Sequence, residues 1–93
     1  MSAFVVVELK VKDSAAKERY SAAAGPIIKK FGGEFLVSGA WEALAGETGL
    51  SHGAIIRFPN RVSALSWYQS DAYQSTLTDR SAGMECTFRL IGA

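Results

Sequence analysis

The chain has 93 residues, well short of the ~150 residues per domain used as a prior, so residues 1–93 read as one domain. Apolar residues make up 48% and charged residues 20%, which argues against disorder, and 10 basic against 9 acidic side chains exclude both a basic nucleic-acid arm and an acidic tail. The one cysteine, Cys86, rules out an internal disulfide and a multi-cysteine zinc site, and no apolar run approaches the ~20 residues that cross a bilayer.

Period-two alternation opens the chain. Ala3, Val5, Val7, Leu9 and Val11 point one way, and Phe4, Val6, Glu8, Lys10 and Lys12 the other, which predicts a strand with one wholly apolar face. Asp13 or Ser14 then offers an N-cap, and Ala16, Tyr20, Ala23, Ala24, Ile27, Ile28 and Phe31 recur at helical spacing. Gly25-Pro26 predicts a kink or restart, because proline lacks an amide donor and crowds the preceding turn. Gly32-Gly33 predicts the helix end.

Glu34 to Leu44 reads as a second strand with Phe35, Val37 and Trp41 on one face, and Gly46 and Gly49 mark the turn that follows. A third strand runs from His52 to Phe58, with His52, Ala54, Ile56 and Phe58 on one side. Pro59-Asn60 closes it and starts a helix through Val62, Ala64, Leu65 and Tyr68; Ser70-Asp71 caps a short further helix carrying Tyr73 and Leu77. Met84, Cys86, Phe88 and Leu90 alternate along a last strand that ends at Ile91. The order is β-α-β-β-α-β, so the expected fold class is α+β: a ferredoxin-like four-stranded antiparallel sheet with both helical segments on one face.

The other face of that sheet is expected to carry Phe4, Val6, Leu36, Ala40, Ile55 and Ile91 among Glu8, Lys10, Ser38, Glu42, Arg57, Thr87 and Arg89. A face left in water would be more uniformly polar, so something is expected to cover it, and the simplest cover is a second copy.

From Tyr20 onward the residues form a specific combination. A Phe31-Gly32-Gly33-Glu34-Phe35-Leu36-Val37-Ser38-Gly39 turn and strand is followed by Leu44-Ala45-Gly46 and by Ile55-Ile56-Arg57-Phe58-Pro59. Next come the stretch from Ala64 to Gln74, containing Trp67-Tyr68-Gln69-Ser70-Asp71-Ala72-Tyr73, and then Arg80. Over nearly its whole length the chain resembles the bacterial family of domain of unknown function 1330. The resemblance implies a dimeric α+β barrel, in which two ferredoxin-like protomers pack sheet against sheet with the helices outside. Families sharing that architecture include cofactor-independent monooxygenases, haem-handling enzymes and small-molecule isomerases, so the architecture does not assign a reaction. One departure is visible: the loop from Glu47 to Ser51 lacks the prolines usual before the third strand.

Candidate chemistry is sparse. His52 is the lone histidine and the candidate general base; it would need a partner such as Glu42 or Glu8, and the plainer reading is a solvated strand-end imidazole. Tyr20, Trp67, Tyr73 and Arg80 are the candidate substrate-binding set, because large amphipathic rings and one cation suit a small carboxylate or aromatic. Their plainer reading is core rings plus a surface or interface arginine. Trp67 and Tyr68 occupy adjacent helix positions, so one of them is expected at an edge. Glu8, Arg57 and Arg89 on the second face are read as cross-subunit salt bridges, with an anionic ligand as the alternative. Cys86 is expected to be a buried, inert thiol.

No Gly-x-Gly-x-x-Gly loop, P-loop or Gly-x-Ser-x-Gly elbow occurs. Ala54-Ile55-Ile56-Arg57-Phe58 does not supply an RNA-recognition signature, and Val11-Lys12-Asp13-Ser14-Ala15 is no phosphate cradle. The expectation is therefore a small-molecule-binding homodimer without cofactor or metal and with neither a nucleic-acid nor a membrane partner. A cofactor-independent enzyme acting on a small organic substrate would be its catalytic form, and a non-catalytic dimeric module is the alternative. Phe4 to Val7 is too short for a secretory h-region and follows no Lys or Arg, which leaves the cytoplasm as the expected location.

Overall fold

The computed structural model describes residues 1–93. The first strand, β1 (Ala3–Val11), has the expected faces: Ala3, Val5 and Val7 are buried beneath the helices, and Phe4 and Val6 are half-buried on the other side. Helix α1 (Ser14–Lys30) starts at Asp13, whose Oδ1 accepts from the amides of Ala15 and Ala16 at 2.9 and 3.2 Å. Its buried residues Ala16, Tyr20, Ala24 and Ile28 recur every fourth position, so one narrow stripe meets the sheet.

Of the kink or restart expected at Gly25-Pro26, the restart does not occur: Pro26 lies inside one unbroken helix. A glycine before the proline removes the Cβ that would crowd its ring in a helical conformation. The helix ends where the glycines stand. Gly32 has φ +84°, its amide donates to the carbonyl of Lys29 at 3.0 Å, and the amide of Gly33 donates to that of Ile28 at 2.9 Å. This is a Schellman cap.

Strand β2 covers Glu34–Ala40, four residues shorter than the Glu34–Leu44 expected, because the last backbone tie to the next strand is from the amide of Trp41 to Ser51 at 2.9 Å. Gly46 and Gly49, both at positive φ, then turn the chain. Strand β3 is His52–Phe58 as expected. Helix α2 (Arg61–Gln69) begins at Asn60, which accepts from the amide of Ser63 at 2.8 Å. The expected single helix after Ser70 is two: α3 (Asp71–Gln74) and α4 (Leu77–Gly83). Strand β4 runs Met84–Gly92.

The strand order is β2-β3-β1-β4 with every neighbouring pair antiparallel, which is the ferredoxin-like arrangement. Val5 stands between Ile56 and Leu90, and Val7 between Ala54 and Phe88, so the helix-facing layer is continuous across three strands. Phe58, Trp67, Tyr73 and Ile56 are its largest fully buried side chains.

One register differs from expectation. A bulge lies between Phe35 and Val37: Phe35 opposes Ile56, yet Val37 opposes Ile55 and Ser38 opposes Ala54. The extra residue, Leu36, flips everything after it. Val37 therefore belongs to the open face, while Ser38 and Ala40 turn to the helix side, the reverse of the simple alternation. Trp41 also crosses to the open face, where its indole lies against Gly53 and fills the space a Cβ would take. All of β2 is exposed, while α2 lies against the other three strands.

Candidate functional site

Four helices bring one polar chain together inside the apolar layer. Tyr20 of α1 meets Tyr73 of α3 hydroxyl to hydroxyl at 2.7 Å. Arg80 of α4 donates through Nη1 to the hydroxyls of Tyr73 and Tyr68, both at 3.1 Å. Its guanidinium carbon lies 4.9 Å from the centre of the Phe88 ring. The three ion pairs of the structure use Arg19, Arg57 and Arg89, so Arg80 has no carboxylate partner.

Burial alone would pull the guanidinium down, but its bonds to Tyr68 and Tyr73 outweigh that and hold it charged. Burial raises the Tyr20 hydroxyl well above the ordinary phenol range, with Tyr73 adding to the effect. Burial raises Tyr73 as well, partly offset by its bonds to Tyr20 and Arg80. Both tyrosines are therefore neutral donors at physiological pH. Burial also raises the Cys86 thiol, against a smaller pull from Arg80, in keeping with an unreactive group.

Tyr20 borders a cleft of about 480 Å³ between α1 and the sheet. The cleft exists because α1 leaves β2 uncovered. Its walls are mostly apolar, including Leu9, Ala24, Ile28 and Phe35, and its polar side chains are Lys17, Tyr20, Ser21, Ser38 and His52.

The four residues expected to bind substrate are thus in one cluster, but only Tyr20 lines the cleft. Trp67 is 1% and Tyr73 0% exposed; their rings meet at a tilt of 51° with centres 4.5 Å apart and form the floor of the core. Arg80 stands behind Tyr73 rather than at the mouth of the cleft, and connects to it through the two hydroxyls. Tyr68, half-buried beside fully buried Trp67, is the residue at the edge.

His52 does line the cleft; its Nδ1 bonds the Ser51 hydroxyl at 2.9 Å, not Glu42 or Glu8. Tyr68, expected only as one of the two adjacent rings that could stand at an edge, accepts the second bond from Arg80. The Nε1–H of Trp67 is buried without an acceptor.

Residues 2–93 match the family model described as Domain of unknown function (DUF1330). The chain belongs to this family. No curated protein matches it. Among solved structures, the RPA0582 protein of unknown function from Rhodopseudomonas palustris is similar at TM-score 0.81 and 15% identity, covering 99% of this chain and 82% of that one. SnoaB, a cofactor-independent oxygenase from Streptomyces nogalater, is similar at TM-score 0.71 and 14% identity, covering 99% and 92%. A dimeric ferredoxin-like protein of unknown function from Jannaschia sp. CCS1 is similar at TM-score 0.66 and 12% identity, with 100% of both chains covered. At such identities the likeness is one of fold.

The open face of this DUF1330 chain has its own polar centre. Glu8, mostly buried, accepts from Arg89 Nη2 at 2.6 Å and from Thr48 at 3.3 Å. Arg57 pairs with Glu34, which lies directly opposite it in the sheet. The charges expected to bridge two subunits are therefore satisfied within one chain. Beside Glu8, the loop from Trp41 to Ser51 encloses a depression of about 690 Å³. No helix is long and apolar enough to cross a membrane.

Proposed function

We propose that this DUF1330 protein is a homodimer that binds a small, largely apolar organic molecule in the cleft between α1 and the sheet. The observation that carries the reading is the cleft itself. Its volume of about 480 Å³ lies in the range of small-molecule sites, and its apolar walls hold a few polar groups, with Tyr20 and His52 among them. The polar lining offers one imidazole and no carboxylate or thiol, a donor set that would not hold a divalent metal, so the reading assigns neither metal nor cofactor. The oxygenase of similar fold, which is described as cofactor-independent, is compatible with this.

The dimer reading rests on the open face. Ile91, Val37 and Leu36 are 64%, 58% and 47% exposed there, next to half-buried Phe4, Val6 and Ile55. A patch of this kind calls for a cover, and a like face on a second copy supplies one, as in the similar proteins described as dimeric. Sedimentation at micromolar concentration should give twice the 10.0 kDa of one chain; a species of 10.0 kDa alone would remove the dimer.

The ligand reading is tested by thermal shift against small phenols and carboxylic acids. A compound at about ten times its Kd adds roughly 1.4 kcal/mol, which raises the midpoint by about 5 °C or more in a domain this size. Ser38→Leu, at an exposed strand position that lines the cleft, should fill the space and abolish the shift while leaving the unliganded midpoint near that of the parent. A shift unchanged by Ser38→Leu would place the ligand elsewhere.

A further inference from the structure

The two tyrosine hydroxyls of the buried chain carry two protons but make one contact between them. One of those protons therefore lacks an acceptor within the protein. Arg80 offers no lone pair, so it can only donate to Tyr73. If Tyr20 donated to Tyr73, the proton of Tyr73 would be stranded on a side chain with no exposure at all. A stranded buried donor costs about 1–3 kcal/mol. The arrangement without that cost runs one way: Arg80 donates to Tyr73, Tyr73 to Tyr20, and Tyr20 is left with a free proton. Tyr20 is the one member of this chain that borders the cleft, so only there is there room for an acceptor.

We infer that the cleft ligand carries an oxygen acceptor, a carbonyl or an oxyanion, that takes the proton of Tyr20, and that the charge of Arg80 reaches it through Tyr73. The inference rests on the cleft reading above and names the class of ligand that fits it. A donor chain backed by a cation in a water-poor site favours the ionised form of such an oxygen. The high titration points of Tyr20 and Tyr73 agree, since both remain donors. The other ionisable groups around the site are Lys17 and His52 in the cleft wall, Cys86 beside Tyr20, and Tyr68 on Arg80. Lys17 and His52 are the two among them that could stabilise an anion independently.

The test uses 4-nitrophenol, whose ionisation is visible in its absorbance, and 4-nitroanisole, which has the same ring and no acidic proton. In the parent protein both should bind, and the bound phenol should ionise about tenfold more readily than the free one. Tyr20→Phe removes the last donor, and Tyr73→Phe breaks the chain at a residue that does not touch the cleft. Each should abolish the tenfold shift while 4-nitroanisole still binds, with folding checked by the melting midpoint. Binding of both probes without any shift overturns the donor chain and leaves the cleft reading intact. A shift that survives Tyr20→Phe and disappears in Lys17→Met or His52→Gln also overturns it. Failure of both probes to bind overturns the cleft reading and this inference together.

Discussion

Replacing Trp67 by alanine is expected to lower stability by about 3–5 kcal/mol. A chain of this length is worth roughly 5–14 kcal/mol in total, so the loss is a large share. The indole is 1% exposed, stacks on Phe58 with centres 5.2 Å apart and meets the tilted Tyr73 ring at 4.5 Å, so its removal leaves a cavity bounded by rings that cannot collapse without leaving their rotamers. Trp67→Phe should lose less than its volume change suggests, because it also deletes the buried Nε1–H that lacks an acceptor. Denaturant midpoints at unchanged slope give both numbers. A Trp67→Ala loss below about 1 kcal/mol would mean that this layer is not the core.

Gly33→Val should be the more damaging substitution at the α1 terminus, ahead of Gly32→Val. A Cβ at Gly33 would stand 2.6 Å from Ile28 Cγ2 and 2.8 Å from the Phe58 ring, inside the core. Valine there overpacks a site with no slack, at about 1–3 kcal/mol or more. At Gly32 the obstacle is the backbone: φ is +84°, and a β-branched residue resists that conformation by more than ~1 kcal/mol. Gly33→Ala separates the two mechanisms, since one added carbon already meets the core atoms. Equal melting of all three variants with the parent would contradict the cap and its packing.

Most of the fold was legible because each element announced itself locally. The period of β1, Asp13 and Asn60 as caps, and Gly32-Gly33 as a stop each depend on nearby residues alone. The second strand was misread where a long-range event intervened. Phe35 and Val37 alternate in the sequence as if they shared a face, and nothing nearby marks the extra residue at Leu36 that separates them. Trp41 followed the same error, because its seat is the bare face of Gly53 on another strand.

The candidate site was legible in part for the same reason. Residue type and helical spacing were enough to nominate Tyr20, Trp67, Tyr73 and Arg80 together. Which of them borders open space depends on how far α1 reaches across the sheet, and that is a property of packing. His52 shows the converse: its position in the cleft wall follows from β3, while its partner, Ser51, is simply the residue before it.

Ligand binding and the donor chain both depend on one place, the cleft between α1 and the sheet. Intermolecular nuclear Overhauser effects between bound 4-nitroanisole and the labelled protein locate that place directly. The expected result is contacts to Ala24 and Ile28 of α1 and to Leu9 and Ile56 of the sheet, which face one another across the cleft. Contacts confined to the Trp41–Ser51 loop and Arg89 would instead put the ligand in the depression on the open face and contradict the account.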